Sequence, residues 1–338
     1  MIEKYYSGVI EQIYNRIGKE TRNIVMANYS NDFSIENLEV IRRYQSNEDN
    51  VFFAYSEFSY NTLVGAYEPF LDIICNMHRR FIGGSFDDFQ KECGVYYLHR
   101  QVLNSYYETG ECFREETVLL NEVAYEQRRM TMAIADMLKK LSEVKPLMIV
   151  INRFQMASKS SIETIKYLID NPCANIGIVL GVNAIVKGTD STVEVWDRIV
   201  ESLEDRSAIY YIGSAGPLKN NVKTTNDDEL YITMNFEQSI QEASNIMEFL
   251  DFEQARRGCR IIEHKLKFED AWIDEKSLRR FYMVYARTSV LLGEMSKAIE
   301  LTNEYKALIP ENDSEHYLSL YYFMKGTCLL YTSPSPRD

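Results

Sequence analysis

The residues that bear most directly on chemistry lie in Lys145-Pro-Leu-Met-Ile-Val-Ile-Asn-Arg-Phe-Gln-Met-Ala-Ser158, an apolar run that closes on Asn152 and Arg153. A buried strand ending in adjacent carboxylates can hold Mg²⁺ with one and orient water with the other. Here a neutral amide stands where a hard cation needs charged oxygen, and the guanidinium beside it repels the metal. The run has the frame of a nucleotide-hydrolysing strand without its acids.

Other chemistry finds little support. Asp87 and Asp88, Glu115 and Glu116, and Asp227 and Asp228 are neighbours in sequence, and neighbours on a helix point to different faces, so no general acid and base pair is implied. Cys75, Cys93, Cys112, Cys173 and Cys259 are scattered, with no Cys-x-x-Cys pair and no His at ligand spacing. That pattern reads as buried thiols rather than a metal site or a disulfide framework. His78, His99, His264 and His316 are equally isolated, and no Gly-x-Ser-x-Gly elbow occurs. Gly83-Gly84 and Gly213-Ser-Ala-Gly216 read as turns, because neither joins a preceding strand to a following Lys-Ser/Thr pair. The sequence assigns no catalytic residue and no metal ligand.

The 338 residues, 46% hydrophobic and 26% charged, suffice for two domains with cores of their own. A formal charge of −13 repels a phosphate backbone, and Arg128-Arg129, Arg256-Arg257 and Arg279-Arg280 lie in helical, acid-containing contexts. Direct nucleic-acid binding is therefore not expected. No apolar run approaches the roughly 20 residues of a membrane span, and Met1-Ile-Glu-Lys-Tyr-Tyr lacks a signal pattern. A cytoplasmic protein with no membrane partner is the expectation.

Positioning elements follow from periodicity. Residues 3–20 carry Tyr6, Ile10, Ile13 and Ile17 at helical spacing, Arg22–Ala27 reads as a buried strand, and Asn28–Ser34 as the turn after it. A helix over Ile35–Tyr44 and a strand over Val51–Ser56 follow. Helices are predicted at Tyr67–Phe81, Asp87–Ser105 and Glu115–Leu141, the last with a Met-rich core stripe. Next come strand Leu147–Phe154, helix Ser161–Asn171, strand Asn175–Val182, helix Val193–Leu203, strand Ala208–Ile212, a polar loop, and strand Glu229–Met234. Near-continuously apolar strands alternating with helices predict a doubly wound, mostly parallel sheet covered on both faces.

From Phe236 onward only helices are predicted. Aligning Ala255 with Ala298 brings Ala243, Ile246, Phe252, Cys259 and Ile262 into register with Ala286, Ser289, Met295, Thr302 and Tyr305. Those offsets resemble the tetratricopeptide (TPR) pattern of antiparallel helix pairs, best over Arg279–Asn312, about one 34-residue repeat. A further helix begins at Glu315. Cys328–Asp338 departs from that pattern and resembles the translation of a sequencing adapter, so the natural chain is expected to be truncated near Thr327.

Ala66-Tyr-Glu-Pro-Phe-Leu-Asp-Ile-Ile74 and the Leu147–Leu168 strand-helix unit, in this element order, resemble the STAND class of AAA-type signalling ATPases. Members join a P-loop NTPase module to TPR-like helices in bacterial transcription activators and signalling proteins. The resemblance implies residues 1–235 as an NTPase-like domain, 236–327 as TPR-like repeats and 328–338 as the adapter-derived tail. It also exposes departures. The phosphate loop, Gly-x-x-x-x-Gly-Lys-Ser/Thr in the family, falls on Ala27–Ser34. Only Ser34 survives there: Phe33 takes the Lys place, Asp32 adds negative charge, and Asn28 begins a loop without glycine. Asn152 and Arg153 replace the acids, and Asn183 stands where a sensor Arg is frequent. The expectation is a non-catalytic regulatory or scaffold segment with no cofactor. It would bind a protein partner, or a second copy of itself, through its TPR-like helices, with Tyr282, Tyr285, Ser289, Tyr317, Tyr321 and Tyr322 as candidate contacts. The alternative is an ATP-binding switch, with ATP and Mg²⁺, controlling a missing C-terminal effector such as a DNA-binding or diguanylate cyclase domain.

Overall fold

Near-continuous apolarity marks a strand that is covered on both faces. The computed structural model, which describes residues 2–30, 38–46, 50–59, 63–114, 122–183, 193–213, 215, 235–268, 273–310 and 314–332, forms five strands, the three central ones buried almost throughout. They are β1 (Ile24–Tyr29), β2 (Phe52–Glu57), β3 (Leu147–Asn152), β4 (Ile176–Asn183) and β5 (Ile209–Ile212). All pair in parallel in the order β2-β3-β4-β1-β5. The strand expected at Glu229–Met234 lies outside the described residues.

From β1 the chain crosses the sheet to the edge strand β2, returns stepwise to β3 and β4, and passes over β1 to reach β5. Right-handed crossovers must then put the β1–β2 connection on one face and the other three on the opposite face. Two separate cores follow. On one face α1 (Ile2–Arg16) and α2 (Glu39–Ser46) pack Tyr6, Ile10, Ile13 and Ile41 against Val25, Ala27, Phe53, Val150 and Val179. The alternate strand residues Met26, Phe52, Ile149, Ile151, Ile178 and Leu180 face the larger core. Over that core lie α3 (Phe70–Met77), α4 (Phe86–Glu92), α5 (Tyr97–Thr109), α6 (Val123–Val144), α7 (Lys159–Asp170) and α8 (Val193–Glu204).

Some elements differ from expectation. The helix predicted over Asp87–Ser105 is two, α4 and α5, because Gly94 takes a left-handed φ of 71°. The helix from Tyr67 starts only at Phe70 and finishes in a π-helical turn, His78–Ile82. Residues 115–121 of the third predicted helix lie outside the described residues. Several starts are set by side-chain caps: Ser85, Ser158, Asn235 and Asp274 each accept the amide three residues on.

The helical part comprises α9 (Phe236–Glu248), α10 (Phe252–Phe268), α11 (Glu275–Leu291), α12 (Met295–Ala307) and α13 (Ser314–Thr332). Turns at Phe249–Asp251 and Leu292–Glu294 fold α9 onto α10 and α11 onto α12, with Ala243, Ala255, Ala286 and Ala298 buried between them. α13 runs past Thr327 to Thr332 with Cys328 buried, and the rest of the expected tail, residues 333–338, lies outside the described residues. The core is not divided at residue 235. Ile240, Ile246, Phe249 and Phe252 belong to the same cluster as Phe70, Leu103 and Ile151. Among the described residues no helix is long and apolar enough to cross a membrane.

Candidate functional site

In a doubly wound sheet a ligand crevice forms outside the carboxyl ends of adjacent strands whose onward connections leave toward opposite faces. That condition is met between β1 and β4, whose last residues, Tyr29 and Asn183, are register partners. Three of the residues singled out from sequence come together here: Asn28 and Asn183 at the ends of β1 and β4, and Asn152 at the end of β3, all three buried. Arg153 follows directly. Phe33 and Ser34, with Asp32, lie outside the described residues.

Beside these strand ends, the sheet face under α1 is crossed by the protein's own polar groups. Tyr29 on β1 donates its hydroxyl to Asn152 Oδ1 on β3 at 2.6 Å, reaching over the strand between them, β4. Gly181 of β4 makes that reach possible. A Cβ there would sit 2.6 Å from Tyr6 Oη and 2.9 Å from Asn152 Oδ1, so any larger residue would collide with both. The Tyr6 ring, delivered from α1, meets the Tyr29 ring edge-on at 6.3 Å, and both residues are fully buried. Burial raises the Tyr6 hydroxyl well above its usual pKa, with Tyr29, Tyr55 and Glu57 adding to the effect, so it stays a neutral phenol.

Asn152 therefore serves as a hydrogen-bond acceptor inside a packed layer. Arg153 is turned aside. It adopts a left-handed φ of 52° and places its guanidinium at the end of β2, 2.8 Å from Glu57 Oε1 and donating to the Phe58 carbonyl at 3.3 Å. Glu57 is the one carboxylate described at these strand ends, and Arg153 together with the Tyr55 hydroxyl engages it. Gln155, buried in the short 3₁₀ turn Phe154–Met156, accepts the Asn183 amide at 3.4 Å. Among the described residues no group of three or more His, Cys, Asp or Glu is placed to hold a metal ion.

Tyr6, Tyr29, Tyr55, Glu57 and Gln155 were not singled out from sequence. The available signal was Gly181 itself, since a glycine inside a buried strand marks a close approach. For Glu57 it was its place at the end of the strand that pairs with β3, opposite Asn152.

The candidate contacts on the helical part divide. Tyr285, Ser289 and Tyr321 are buried between helices, so they are packing residues rather than an open face. The reason is the crossing of α11 with its neighbours: Phe281, Tyr285 and Ser289 form one inward stripe at four-residue spacing. Tyr282 and Tyr317 are half-buried, the latter with Arg279 over its ring at 5.0 Å. Tyr322 is 63% exposed, and beside it Phe323, which sequence reasoning passed over, is 52% exposed.

Compared with known proteins, the sequence matches no family model and no curated relative.

Proposed function

We propose that this chain is a non-catalytic regulatory or scaffold segment, in which a degenerate P-loop NTPase-like sheet carries TPR-like helices that bind a protein partner. The observation that carries this reading is the Tyr29–Asn152 bond over Gly181 at the strand ends. A triphosphate with magnesium needs bare amides, a lysine and a carboxylate at that crevice. Among the described residues these strand ends offer side-chain amides, phenols, and a guanidinium already paired with the carboxylate of Glu57.

The family resemblance supports the reading in two further respects. The sheet is all parallel, and the connections after β1 and β4 leave toward opposite faces. The helix pairs begin within the same core, so a partner held by the distal helices has a packed route to the sheet. Partner contact belongs to the exposed side of α11 to α13, where Tyr282, Tyr317 and Tyr322 retain accessible surface. Titration of the full chain with ATP and ADP, with and without Mg²⁺, tests the reading by calorimetry and thermal shift. No heat of binding and an unchanged Tm are expected, whereas a saturable rise in Tm supports the ATP-binding switch instead.

A further inference from the structure

Where α9 meets the segment leading into α3, a cavity of about 260 Å³ is lined by Gly65, Glu68, Asp72, Tyr106 and Glu242. Glu68 and Glu242 come from opposite sides of the seam between sheet module and helical part. They converge on one glycine: the point where a Gly65 Cβ would stand is 2.9 Å from Glu242 Oε1 and 3.4 Å from Glu68 Oε2. The Gly65 amide donates to Glu68 Oε2 at 2.8 Å, which leaves Glu242 without that support. From α3 the cavity is faced by Asp72, and from α5 by Tyr106, whose hydroxyl is given to Asp72 Oδ1 at 3.0 Å. From α9 itself come Glu242 and the neutral Asn245. No Lys, Arg or His lines the cavity among the described residues.

Glu68 and Glu242, half-buried with no cation beside them, cannot both ionise at low cost, and Asp72, exposed at the edge of the cavity, adds a further negative charge nearby. We propose that Glu68 and Glu242 form a proton-operated latch on the seam. With a proton held on Glu242, α9 lies closed against the 63–72 segment; when that proton passes to solvent, the two carboxylates repel and water enters between them. The cavity is many times the volume a water molecule requires, so entry needs no rearrangement of the main core. Burial, then the charges of Glu68 and Asp72, raise the Glu242 carboxyl to about 7, so the transition falls near neutral pH. Glu68 is raised in the same direction, chiefly by burial and less by Asp72, against the opposing Gly65 amide. The latch does not depend on whether the sheet accepts nucleotide, so the two proposals fail separately.

Hydrogen exchange of the full chain, corrected for intrinsic rates, tests the latch between pH 5.5 and 8.5. Protection of α9 and of residues 63–72 is expected to fall in the wild type as pH passes about 7 and to stay constant in Glu242→Gln, which keeps the shape and removes the charge. Glu68→Gln provides a second variant and is expected to lift protection at pH 8.5 in the same way. Protection in the wild type that is indifferent to pH overturns the proposal, as does an unaltered pH response in both variants.

Discussion

At the strand ends, single atoms decide what the crevice can admit. Tyr29, Asn152 and Tyr6 share a space that exists only because residue 181 has no side chain. Gly181→Ala is therefore expected to break this layer, with a loss of about 1–3 kcal/mol from overpacking and displaced hydrogen bonding, read as a lower urea midpoint. An unchanged midpoint would mean that the layer has slack. On the helical part, Tyr285→Ala opens a cavity and is expected to cost roughly 3–5 kcal/mol, as for large aromatic truncations, whereas Tyr322→Ala on the exposed face should stay within about 0.5 kcal/mol. Equal losses at the two positions would contradict their assigned burial. Asn28, Asn152 and Asn183 could be located from sequence because apolar runs fix where strands end. Tyr6 could not, because its spacing on α1 marks it as core while its hydroxyl's destination depends on how α1 lies across β4.

Helix termini carry the joint between the sheet module and the helical part. Asp251, 4% exposed at the start of α10, accepts the Ser160 amide of α7 at 3.0 Å and the Gln254 amide of α10 at 3.4 Å. One carboxylate thereby satisfies amides at two helix N-termini, where negative charge is also favoured by the helix dipole. Around it, Gln254 donates to the Val64 carbonyl at 2.9 Å and Gln127 to the Leu250 carbonyl at 2.6 Å. Asp251→Ala is expected to destabilise the chain by about 1–3 kcal/mol in denaturant unfolding, and Asp251→Asn by less, since an amide oxygen still accepts. Should Asp251→Ala unfold at the wild-type midpoint, the joint is held by apolar packing alone. Parallel strands were readable at this scale because each is a short apolar run between polar turns. The break at Gly94 was missed because helical periodicity continues on both sides of it, and the π-helical turn at His78 because no residue there forbids an ordinary helix. A boundary at residue 235 marks where strands cease to be predicted, but hydrophobic burial continues across it, since composition does not reveal which surfaces will share a core.

For the molecule as a whole, the seam makes stability depend on pH. A carboxyl whose folded-state pKa is raised binds its proton more tightly folded than unfolded, so it contributes stability at acid pH that is lost as pH rises. For Glu242 the loss runs from the ordinary carboxylate range up to about 7 and is complete above it. Thermal melts should show Tm falling over that window in the wild type, with a flatter profile in Glu242→Gln. The larger core spans the sheet's one face and the distal helices, so a partner gripping those helices acts on a body packed directly against the sheet. A non-catalytic role requires above all that the crevice between β1 and β4 seat no nucleotide. Calorimetric titration of the intact chain with ATP and Mg²⁺ examines that directly: no saturable heat is predicted, and binding that is abolished by substitution at Tyr29 or Asn152 would contradict it.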